Sequence, residues 1–77
     1  MKIMEDYKII MINELKMINE LNELSERIKK LFTFIGSKKY ESLDDDEKQD
    51  LRVQYMFMKG YEVALRRRCK RAGLFDS

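Results

Sequence analysis

The first glycine of this chain is Gly36, and there is no proline anywhere in it. Few residues can therefore interrupt the backbone, and helices are favoured over turn-rich sheets. From Met4 to Ile35 the apolar residues Met4, Tyr7, Met11, Leu15, Ile18, Leu21, Leu24, Ile28, Leu31 and Ile35 recur at steps of three and four. That spacing lines one face of a helix at close to a heptad repeat. Gly36 then follows as the expected left-handed C′ residue.

A second helix is expected from Leu43 to about Ala72, ended by Gly73. Ser42 reads as its N-cap, donating no charge but accepting from the free amide of Asp45. Asp44, Asp45, Asp46 and Glu47 follow in the first turn, where carboxylates favour the positive end of the helix dipole. A divalent-cation reading of the same run lacks the alternating ligands and central glycine of a calcium loop. The connection from Gly36 to Glu41 is short enough to make the helices antiparallel neighbours. The expectation is an all-α, single-domain chain (1–77), an antiparallel two-helix hairpin of about 4–35 and 43–72.

The second helix carries more apolar surface than a hairpin can hide. One stripe is Leu51, Tyr55, Met58, Leu65, Cys69 and Ala72; another is Val53, Phe57, Gly60 and Ala64, with Met56 and Val63 between. A helix apolar around most of its circumference is buried on several sides. Val53, Met56, Phe57, Gly60, Val63 and Ala64 are accordingly expected at an interface between copies. Gly60 and Ala64 would permit close approach, and the assembly would be a homo-oligomeric helical bundle, a dimer or higher.

Charge runs in blocks. Residues 1–26 carry net −3, 27–42 net +4, 43–57 net −3 and 58–77 net +4. An antiparallel hairpin sets each positive block beside a negative one. Arg66-Arg67-Arg68-Cys69-Lys70-Arg71 has two readings. It can complement the C-terminal helix dipole and pair with Glu5, Asp6 and Glu14. Alternatively it can hold an anion, since arginine makes forked contacts to phosphate and three consecutive arginines point three ways. The anion reading takes Tyr61, Arg66, Arg67, Lys70 and Arg71 as ligand residues, with Tyr61 stacking on a base.

Other classes are disfavoured. The absence of histidine removes the commonest general base and metal ligand, so neither an enzyme nor a metal or other cofactor is expected. Cys69 is the single cysteine; it falls on the main stripe and reads as a buried thiol in a reducing cytoplasm. No apolar run is long enough for a membrane span, and no signal peptide is evident. With a net charge of only +2 and no helix-turn-helix, nucleic acid is not an expected partner.

The run Leu21-x-x-Leu24-x-x-Arg27-Ile28-x-Lys30-Leu31-x-x-Phe34-Ile35-x-Ser37-x-x-Tyr40-x-x-Leu43, then Gln54-x-x-x-Met58-x-x-Tyr61-x-x-x-Leu65-x-x-Arg68, resembles small helical-hairpin proteins of bacteriophage genomes. Some of these are anti-defence sponges that oligomerise and trap cyclic nucleotide immune signals. The resemblance implies a phage protein in the host cytoplasm with a cyclic di- or trinucleotide ligand. The alternative is an interaction module whose apolar face, with Phe57 and Val63, binds and inhibits a host defence protein.

Overall fold

The structure is a computed structural model, described here for residues 2–74, with side chains from Ile12 onward. It is all-helical over that range: α1 (Lys2–Ile35), a single-turn α2 (Lys38–Glu41) and α3 (Asp45–Arg71). Helices α1 and α3 pack against each other in antiparallel fashion, with Phe32 beside Tyr55 near the turn and Ser25 beside Glu62 further along. The expected hairpin is present, with α2 added at its tip. At 34 and 27 residues the long helices span about 51 Å and 40 Å.

The core is a single line of contact. Leu21, Leu24 and Ile28 of α1 meet Leu65 and Cys69 of α3, with Met17, Tyr55, Met58 and Leu74 packed at the margins. Leu65 and the Cys69 thiol are fully enclosed. The predicted α1 stripe is therefore buried in its middle, while Leu15 is exposed. Met4, Tyr7 and Met11 lie outside the described side chains, as does the tail after Leu74.

Three local expectations need correction. Ser42 does not cap α3. Its backbone is already right-handed helical (φ −79°, ψ −10°), and it closes α2 instead, its hydroxyl donating to the Lys39 carbonyl at 2.6 Å. The extended backbone an N-cap needs occurs at Asp44 (φ −71°, ψ 167°), whose carboxylate accepts from the Glu47 amide at 2.8 Å. Helix α3 consequently begins at Asp45 rather than Leu43. Gly36 also does not turn left-handed, because Ser37 immediately caps α2, its hydroxyl accepting from the Tyr40 amide at 3.3 Å.

The left-handed glycine is Gly73 (φ 74°). Its amide donates to the Lys70 carbonyl at 3.0 Å and that of Leu74 to the Cys69 carbonyl at 3.1 Å, the paired bonds of a Schellman motif. Leu74 then folds back against the core. At the opposite end Tyr40 is buried, packs edge-on to Phe34 and donates its hydroxyl to the Lys48 carbonyl at 3.2 Å. One aromatic side chain thus fastens the tip of the hairpin to the first turn of α3.

The chain is lean for its surface. Its accessible area is 6731 Å², against about 5,000 Å² for a folded monomer of this mass. Its radius of gyration is 17.4 Å, against about 11.5 Å for a compact domain of this length.

Replacing Asp44 with alanine is expected to cost about 1 kcal/mol, and Ser42→Ala markedly less. Urea unfolding followed by circular dichroism measures both. Equal losses would show that Asp44 is not the cap.

Candidate functional site

The second half of α3 presents four faces: its core-facing edge, its exposed back, and a flank on either side. Helical geometry sorts the six residues of the basic cluster among them. Arg66 and Lys70, four apart, lie about 40° from each other around the helix axis; Arg67 and Arg71 form a second such pair, about 100° further round. Tyr61 is five residues before Arg66, so it sits about 140° away, on the opposite flank with Arg68. The expected ligand residues Tyr61, Arg66, Arg67, Lys70 and Arg71 are thus divided over three directions in a single chain. All five are exposed.

On one flank a buried carboxylate organises the charges. Glu62 is only 8% exposed and stands between the two helices. It accepts from the Ser25 hydroxyl of α1 at 2.8 Å and from the Lys59 ammonium at 3.1 Å, and pairs with Arg66 at 3.7 Å. These donors, with Ser25 first, hold its carboxyl below the usual 4.5, against the upward push of burial. Arg66 therefore projects from a fixed anchor, with Lys59 one helical repeat before it. On the other flank the Tyr61 hydroxyl donates to the Glu20 carboxylate of α1. That bond is the main reason the phenol is harder to ionise than an ordinary tyrosine.

Arg67, Arg68, Lys70 and Arg71 make no ion pair among the described residues. Glu14 forms none either, and the other expected partners, Glu5 and Asp6, lie outside the described side chains. Among the described residues every ion pair joins residues of one helix, so there the charge blocks form no direct bridge between helices.

Val53, Met56, Phe57, Gly60, Val63 and Ala64 all lie exposed along the back of α3 and its margins. Phe57 is 75% and Met56 70% exposed, unusual for large apolar side chains set so close together. Phe32 of α1 and Tyr61 are exposed as well.

Glu62, Ser25 and Glu20 escaped the sequence reading. A signal existed for Glu62. The core stripe steps from Met58 directly to Leu65, and Glu62 fills the missing position between them.

A family model described as Sequestin matches residues 5–71, most of the chain. No curated protein and no solved structure matches it.

Because its folded carboxyl titrates lower than in the unfolded chain, Glu62 stabilises the fold fully above the unfolded value, and that contribution disappears as pH falls through the folded value. Glu62→Gln should cost about 1–2 kcal/mol at pH 7. The difference from the parent should shrink steadily below about pH 4.5. Thermal melts from pH 7 to pH 3 give the comparison; a difference independent of pH would mean that the charge on Glu62 does not contribute.

Proposed function

Since the chain belongs to the Sequestin family, whose name denotes sequestration, we propose that it is a non-enzymatic phage anti-defence protein acting in the host cytoplasm. It oligomerises and captures a cyclic nucleotide immune signal, a cyclic di- or trinucleotide. The observation that carries this reading is the exposed cluster from Arg66 to Arg71, most of whose cations make no ion pair among the described residues. A phosphodiester anion matches such a surface, since guanidinium groups offer forked, charge-assisted hydrogen bonds. Tyr61 supplies an aromatic face for a base.

The division of these residues over several directions favours an assembly over a lone chain. Two or more copies can bring Arg66 and Lys70 of one protomer toward Tyr61 of another, around a ligand no single hairpin surrounds. The surplus of accessible area, about 1,700 Å² over a compact monomer, exceeds what each partner contributes to a standard interface.

The exposed Phe57, Met56 and Val63 support a second reading, an apolar docking face that inhibits a host defence protein. The readings part on Phe57→Asp. It would abolish capture of a host protein under the second. Under the first it would disperse the oligomer, with no partner protein to lose.

Thermal-shift and calorimetric titration with cyclic di- and trinucleotides tests the proposal. At a hundredfold excess over Kd a true ligand stabilises the fold by about 2.7 kcal/mol, a rise of roughly 10 °C or more in Tm. Reversing Arg66 and Lys70 together to glutamate should lower affinity by about tenfold or more. No stabilisation by any such nucleotide at high micromolar concentration would sink the nucleotide reading.

A further inference from the structure

Along the exposed back of α3 lie Asp46, Asp50, Val53, Phe57, Gly60, Ala64, Arg67 and Arg71. Their steps alternate four and three without a break, the repeat of a coiled-coil seam. The order along the seam is acidic, large apolar, small, basic. It is complementary to its own reverse. Turned end for end about a point between Met58 and Lys59, each position meets its counterpart: Asp46 the partner's Arg71, Asp50 the partner's Arg67, Val53 the partner's Ala64, and Phe57 the partner's Gly60.

Gly60 gives an independent reason for this register. It sits in the middle of α3, where glycine destabilises a helix relative to alanine. Its φ is not positive, and beyond its chain neighbours and the backbone of its own helix nothing described lies within 4 Å of where its Cβ would stand. Nothing within one chain calls for a glycine there. A neighbouring ring seated on the bare backbone does, and Phe57, at 75% exposed, is the ring this symmetry delivers.

We infer that two copies pair back to back through α3, antiparallel and two-fold symmetric in this register, with a second copy of this chain as the occupant of the apolar face. The inference rests on the self-association in the function proposed above and specifies its geometry. Parallel pairing would set carboxylates against carboxylates at one end and guanidinium groups against each other at the other. Antiparallel pairing turns both ends into attractions. It also assigns the cationic cluster. Arg67 and Arg71 answer the partner's acidic run, while Arg66 and Lys70 on the flank stay available to an anion.

Charge exchange tests the register. In the variant Asp46→Lys/Asp50→Lys, and separately in Arg67→Asp/Arg71→Asp, both ends of a self-pair become repulsive. In the mixed pair both ends become attractive. Each variant alone should lose about tenfold or more in dimer affinity, and an equimolar mixture should recover dimers of one chain of each kind, read by sedimentation and native mass spectrometry. That recovery also shows that both variants fold. Val53→Cys mixed with Ala64→Cys should oxidise to the mixed disulfide, with Cys69 enclosed and out of reach. Variants that self-associate like the parent, or a Val53→Cys chain that links readily to its own copy, would overturn the antiparallel register while leaving self-association standing. A parent chain that stays monomeric at millimolar concentration would remove both.

Discussion

Two helices can shield each other along only one line, and everything else in this protein follows from how little that line encloses. Leu21, Leu24 and Ile28 close against Leu65 and Cys69. The rest of each helix circumference stays in solvent. In an ordinary small domain a third element would cover it. Here Val53, Met56, Phe57 and Val63 stand exposed along the back of α3 and its margins, and Ile12, Leu15 and Phe32 are exposed on α1. A hairpin of this kind encloses little of its own surface.

Within that thin core the one charge buried among the described residues, Glu62, has a disproportionate effect. An apolar residue in place of Glu62 would pack against Ser25 without constraint on rotation about the line of contact. The carboxylate, held from α1 by a hydroxyl and from α3 by a lysine and an arginine, links the pairing of the helices to the direction in which Arg66 points. Electrostatics of the surface and packing of the interior meet in one side chain. A hydrogen bond across the helices ties Tyr61 to Glu20 on the opposite flank in the same manner.

The long helices were legible in the sequence because burial on one face imposes a period that survives without any knowledge of partners. The exposed residues of α3 were legible for the complementary reason, since they exceed what one neighbour can cover. The ends of elements were harder. Ser42 and Asp44 are both good caps, and only the backbone angles decide between them. Gly36 permits a left-handed turn without requiring one, whereas Gly73 adopts it. Glu62 was not legible because apolar periodicity does not mark a charged residue at a core position. What buries Glu62 comfortably is Ser25, thirty-seven residues away in sequence, and no local pattern connects them. The basic cluster and the divergence of its arginines were legible as well; the anchoring of Arg66 on Glu62 was not, because it depends on a charged residue at a core position.

The lack of proline has a kinetic side. No peptide bond in this chain needs the slow isomerisation that holds many proteins back for tens of seconds. Most of its hydrogen bonds close within a single helical turn, and such local topologies reach the native state in microseconds to milliseconds. The stoichiometric capture proposed above would consume the protein rather than turn its target over, and the interval between leaving the ribosome and being ready to act would then set how soon that target is depleted.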